Sequence, residues 1–139
     1  MKGHYKLSLD GQILISHIQG QWSGTTALRY AEEVRELVAG ISVPNFAHLL
    51  FFDEWELGTP QSQFITERTV SWLVSKGMSV CAEVFSPDHL KEFILNKATA
   101  GVKGNLSIRR FDKQVDALDW LAARGFERSN NNSIDLEIL

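Results

Sequence analysis

The chain is short of several things that would narrow its function. It has one cysteine, Cys81, in 139 residues, so no internal disulfide can form and a reducing compartment is expected. It has no basic excess: fourteen Lys and Arg stand against seventeen Asp and Glu, for a formal charge of −3. Phosphate contacts need a concentrated basic face, and the only adjacent basic pair is Arg109-Arg110, so no nucleic-acid partner is expected. No apolar run approaches the roughly 20 residues that a membrane helix requires. The opening MKGHYKLSLDG lacks the apolar segment of a secretory signal, and a cytoplasmic protein is the expectation. His4, His17, His48 and His89 are scattered, with no i, i+4 pair and no cysteine alongside, so no metal site is expected. The segment GQWSG, residues 20–24, matches neither phosphate-loop pattern and reads as a turn; no cofactor is implied.

What is present is ordinary globular material, 44% hydrophobic and 22% charged, enough for one domain over residues 1–126 with a polar tail over 127–139. The organising stretch is Asn45 to Pro60, NFAHLLFFDEWELGTP. Its apolar run from Phe46 to Phe52 reads as a central strand covered on both faces, followed by an acidic, aromatic loop. Thr59 and Pro60 then suit the cap and first turn of a helix running to Lys76. Before this stretch, Asp10-Gly11 joins two β-patterned runs, predicting an antiparallel hairpin over 4–9 and 12–19. A helix capped by Thr25 or Thr26 follows to Ala39, with Ala27, Tyr30, Ala31, Val34, Leu37 and Val38 on one stripe.

After Gly77, residues 78–85 read as a strand and Ser86-Pro87-Asp88 as the next helix start. The core stripe expected for that helix is Leu90, Phe93, Ile94, Lys97 and Ala98. Residues 106–111 form a last strand, and Asp112 caps a final helix. Strands alternating with helices imply an α/β domain: a mostly parallel sheet, an antiparallel N-terminal edge strand, and helices packed on it.

The element order, the strand LLFFD with its acidic end, and the closing FDKQVDALDWL (Phe111 to Leu121, with Ala117, Trp120 and Leu121) resemble the SpoIIAA-like branch of the STAS superfamily. The likeness covers roughly residues 4–125. It implies a layered sheet of four or five strands and a non-enzymatic role, binding partner proteins, nucleotides or small ligands. Anti-sigma-factor antagonists of this group carry an Asp-Ser-Ser-Gly-type phosphorylation motif where the helix after the central strand begins. Here that place reads Gly58-Thr59-Pro60-Gln61-Ser62, so the motif is absent, while Thr59 and Ser62 are hydroxyl residues near it.

The leading expectation is a non-catalytic interaction domain that binds a protein partner or a small apolar ligand at the carboxyl end of the sheet, using Trp22, Asp53, Trp55 and Thr59. Two tryptophans in loops at one sheet end, beside a few polar groups, are typical of a pocket or an interface. Two alternatives accompany it. One is an enzyme using the carboxylates Asp53, Glu54 and Glu56 with His89, which requires a pocket holding them within hydrogen-bond reach. The other is a switch phosphorylated at Thr59 or Ser62, where a helix N-terminus favours phosphate. Cys81 reads as an inert core thiol. In the tail, Ile134, Leu136 and Ile138 alternate with polar residues, a pattern that could add a strand in the same chain or across a homodimer.

Overall fold

The computed structural model describes residues 2–41, 44–56, 58–102 and 104–128. In chain order the elements are β1 (His4–Asp10), β2 (Ile13–Gln21), α1 (Gly24–Ala39), β3 (Phe46–Phe51), β4 (Trp55–Glu56), α2 (Pro60–Ser75), β5 (Met78–Val84), α3 (His89–Thr99), β6 (Ser107–Phe111) and α4 (Gln114–Ala123). The Asp-Gly turn forms as the sequence predicts. Gly11 takes φ 60°, and β1 pairs antiparallel with β2 from His4↔Gln19 to Asp10↔Ile13.

The sheet order is β1-β2-β3-β5-β6, and every pair after the first is parallel. Each crossover steps one strand in the same direction. With the usual right-handed connection, α1, α2 and α3 therefore share one face, here called the front. The core divides accordingly. Leu14, Ile18, Phe46, Leu50, Met78 and Cys81 point to the front, where Val34, Leu73 and Leu95 of the helices meet them. Ile13, Ile15, Ala47, Leu49, Val80, Ala82 and Val84 point to the back, where α4 supplies Ala117 and Leu121 and Phe126 follows. Central β3 is buried on both faces, as its unbroken apolar run requires.

Four local expectations are corrected. The acidic loop is only a turn at Asp53-Glu54: β4 resumes beside β2 with Gly20↔Trp55, giving a sixth strand. Ser23, not Thr25 or Thr26, caps α1, its oxygen accepting from the Thr26 N–H at 3.3 Å. Asp112 caps nothing; Lys113 holds the cap position of α4 without a side-chain bond. Finally, the expected α3 stripe holds only in part: Ile94, Lys97 and Ala98 line the space that faces the sheet, but Leu90 and Phe93 do not turn inward. Leu90 and Phe93 are 51% and 67% exposed, while Leu95 is buried. The reason lies in Lys91, which occupies the inward row and donates to the carbonyl oxygens of Phe52 at 2.9 Å and Asp53 at 3.3 Å. A charged residue on the inward row hides the stripe from an apolar count.

After α4, Arg128 returns to the β1–β2 turn through an ion pair, its Nε 3.0 Å from Asp10 Oδ2. The tail strand expected from residues 129–139 lies outside the described residues. Among the described residues no helix is long and apolar enough to cross a membrane.

Candidate ligand site

Strand alternation places residues i and i+2 on one face, and on the front face that row is not wholly apolar. Ser16 sits between Leu14 and Ile18, His48 between Phe46 and Leu50, and Cys81 and Glu83 precede Phe85. All four are buried, from 0% exposed at Ser16 to 4% at Cys81. Above them α1 brings Tyr30, α2 brings Thr66, Thr69 and Leu73, and α3 brings Ile94, Leu95 and Ala98. Sheet and helices do not close completely. They leave a cavity of about 100 Å³ whose walls include Tyr30, His48, Cys81, Glu83, Leu73 and Leu95. Such a space far exceeds the roughly 10–15 Å³ needed for one water, and apolar cavities of that order accept small apolar molecules.

The polar groups of the floor are tied to one another. Ser16 Oγ lies 2.7 Å from the Tyr30 hydroxyl and 2.8 Å from His48 Nε2. Burial pushes the His48 pKa down to about 3, so the imidazole is neutral. Burial likewise pushes the Tyr30 phenol up, against the smaller opposing effect of its hydrogen bond to Ser16. The Cys81 thiol is raised, first by burial and then by the nearby Glu83 charge. Burial also raises the Glu83 carboxyl, while Arg110 opposes it. Arg110 Nε meets Glu83 Oε1 at 2.8 Å, and its Nη2 donates to Asn96 Oδ1 at 2.8 Å, tying α3 to the sheet at the cavity's edge.

A serine 2.8 Å from an imidazole invites comparison with a hydrolase pair. The chemistry does not support one. Ser16 is fully buried and not among the cavity-lining residues, its oxygen is shared with Tyr30, and an imidazole with a pKa near 3 is a weak base. The trio is a hydrogen-bonded polar network inside an apolar layer.

The residues singled out from the sequence separate into two groups. Trp22, Trp55 and Ser62 line the cavity. Trp22 is 5% exposed, with its Nε1–H donating to the Gln19 carbonyl at 3.1 Å and its ring against Tyr5 and Tyr30. Trp55 is half-buried, its ring centroid 5.5 Å from that of Phe52. Asp53 and Thr59 are not among the described lining residues. Asp53 Oδ1 accepts from the Ser86 N–H at 2.8 Å, joining the ends of β3 and β5. Thr59 caps α2, its hydroxyl accepting from the Ser62 N–H at 3.1 Å, and its own N–H donates to the Trp22 carbonyl at 3.0 Å. Gly58 suits this crowded corner, since a Cβ there would collide with Ser62 Oγ and press on the Trp22 carbonyl oxygen at 3.1 Å. Ser62 is 3% exposed, with its hydroxyl donating to the Thr59 carbonyl at 2.7 Å.

The carboxylates of the acidic turn do not converge. Asp53 is turned to Ser86, Glu54 Oε2 accepts from Gln19 Nε2 at 2.8 Å, and all three carboxylates are exposed. His89 is fully exposed and faces Glu92 at 3.5 Å. The arrangement that the enzyme alternative requires is therefore missing among the described residues, as is any group of three or more His, Cys, Asp or Glu able to hold a metal. The residues that sequence reasoning passed over are Ser16, Tyr30, His48 and the Glu83–Arg110 pair. A signal existed for three of them: Ser16, His48 and Glu83 are polar positions on strands that are otherwise mostly apolar.

The class that this architecture defines is the SpoIIAA-like fold. No protein-family model matches the chain, and no curated protein matches it in sequence. Solved structures do. An uncharacterized protein of the DUF3478 family with a SpoIIAA-like fold, from Shewanella loihica, matches with a TM-score of 0.66 at 16% identity, over 86% of this chain and 94% of that one. The Bacillus cell fate determinant SpoIIAA in its phosphorylated form matches with a TM-score of 0.59 at 8% identity, over 85% of this chain and 99% of that one. The anti-sigma factor antagonist SpoIIAA in its unphosphorylated form matches at 0.58 and 8%, over 88% and 100%. The chain thus has the SpoIIAA-like fold.

Proposed function

We propose that this chain is a non-catalytic binding module, one domain over residues 1–126, that takes a small apolar ligand between the front of its sheet and helices α2 and α3. The observation that carries the reading is the cavity of about 100 Å³, walled by Leu50, Phe52, Val70, Leu73 and Leu95 and reached by the rings of Trp22 and Trp55. A largely apolar concave space with few polar groups is the usual form of a small-molecule site. Native mass spectrometry of the protein from its own cells tests it. A retained low-polarity adduct is expected, and it should disappear in Cys81→Leu, which fills the floor. A bare wild-type chain, with no adduct after incubation with apolar compounds, would count against the reading.

A second reading is a protein-interaction module switched by phosphate. The exposed Leu90 and Phe93 favour it, as does the similarity to SpoIIAA, a protein seen phosphorylated and unphosphorylated. Thr59 is the accessible hydroxyl, whereas Ser62 is buried. Intact mass before and after phosphatase treatment separates this reading from the first.

A further inference from the structure

The walls of the cavity are not equally sealed. Among the described lining residues, all those that are not buried lie on α2 or α3, with Trp55 of β4 the exception. They follow helical spacing. On α2, Gln63, Glu67 and Val70 stand at i, i+4 and i+7, and on α3, Ile94, Lys97 and Ala98 stand at i, i+3 and i+4. Each set is one stripe of its helix. On the sheet side, Ile18, His48, Leu50 and Cys81 are all buried. A space with a buried floor and two partly exposed helix stripes opposite opens along the seam between those helices.

Polar groups divide in the same way. On the floor, Ser16 is bonded to Tyr30 and His48, and Glu83 to Arg110. At the seam, the side chains of Gln63, Glu67 and Lys97 have no hydrogen-bond or ion-pair partner among the described residues. Lys97 is exposed and borders the space, the placement in which a lysine stem covers apolar surface while its ammonium stays in water. The seam thus carries a carboxylate and an ammonium, and a ligand charge of either sign meets an opposite one there.

A polar group carried to the floor would lose its water, and a charged one would lose most. At the seam it keeps that water. Resting on the cavity reading above, we infer that the ligand is a small amphiphile bound head-out: its ring or short chain enters between α2 and α3, and its polar end stays at the seam beside Gln63, Glu67 and Lys97.

The test uses toluene and three probes that carry a polar group on its methyl carbon: benzyl alcohol, benzylamine and phenylacetate. Each is titrated at neutral pH and followed by amide NMR. The two ions should bind within about fivefold of the alcohol, because an exposed charge beside both signs gains or loses little. Exchanging the alcohol for either ion should move the amide signals of Gln63, Glu67 and Lys97 and leave those of His48 and Cys81 in place. In Lys97→Glu the amine-to-carboxylate affinity ratio should rise about threefold to tenfold, with toluene binding unchanged. Lys97 has no partner to lose, so this variant keeps its fold. An alcohol that binds about a hundredfold tighter than both ions would put the head on the floor and overturn the assignment. A ratio unmoved in Lys97→Glu, or toluene binding without any of the other three, would overturn it as well. In each of these cases the cavity reading stands. No binding by any of the four would overturn both.

Discussion

The two faces of one sheet have been solved differently. On the back, β2, β3 and β5 present Ile13, Ile15, Ala47, Leu49, Val80, Ala82 and Val84, all aliphatic, and Ala117 and Leu121 of α4 close over part of that layer. On the front, the same strands present Ser16, His48, Cys81 and Glu83 among their apolar residues, and three helices stand over them without filling the space. The strands are identical in backbone, so the difference is one of parity. Residues one step apart in sequence serve a sealed layer or a hollow one. A layer built for stability alone gains nothing from a buried histidine and a buried carboxylate, each of which must be desolvated. Their concentration on the hollow face is the difference that the proposed binding role draws on, while the back is a sealed apolar layer.

The sharpest way to break this comparison is to damage the back alone. Leu121→Ala should cost about 2–5 kcal/mol in urea unfolding, because Leu121 is fully buried and the cavity left behind cannot collapse. The folded fraction should still bind a front-face ligand with unchanged affinity. Loss of binding in the folded fraction would show that the two faces are not separable.

Next in size is Arg110→Met on the front. It strands the Glu83 carboxyl in a buried position and frees Asn96, and about 2–3 kcal/mol of stability should go. Hydrogen exchange should increase in α3 more than in α4. Changing Glu83 to Gln in the same background should recover part of the loss.

The pH dependence of stability sharpens the contrast further. The folded state holds His48 with a pKa near 3, against 6.5 for a free imidazole, so the unfolded chain binds the extra proton first. The stability from neutral His48 is full above pH 6.5 and is lost as pH falls from there toward 3. Between pH 6.5 and 5, wild type should lose about 2 kcal/mol more than His48→Gln. The raised carboxyl of Glu83 works in the opposite direction as pH rises, but both proteins share it and it cancels in the difference. Equal pH slopes would mean that His48 is solvated.

The smallest effect belongs to the α2 cap. Thr59→Ala should cost about 1 kcal/mol, from loss of the bond to the Ser62 N–H, with a uniform drop in melting temperature and no change in ligand selectivity.

Much of the architecture was legible because its signals are local. Asp10-Gly11 specifies a hairpin by turn conformation, Thr59-Pro60 a helix start by its cap, and FAHLLFF a central strand by continuous hydrophobicity. Where a signal depends on what a residue meets across space, reading failed. Lys91 looks like a surface lysine until Phe52 and Asp53 present carbonyl oxygens to it, and so the inward row of α3 is legible at Ile94 and Ala98 but not at Leu90 and Phe93, which are exposed. Trp22 and Trp55 were legible as neighbours at one sheet end, yet the cavity behind them was not, since it depends on how far α2 and α3 stand from the strands. His48 was passed over because metal-ligand spacing is a sequence pattern and a partnership with Ser16 and Tyr30 is not.

The central claim is that the front cavity is a binding site, and an amide NMR titration of the wild-type chain with toluene tests it most directly. The account predicts saturable shifts centred on Thr69, Leu73, Cys81 and Leu95, with the back-face residues Leu49 and Ala117 unmoved. Shifts confined to the exposed Leu90 and Phe93, or none at all, would contradict it.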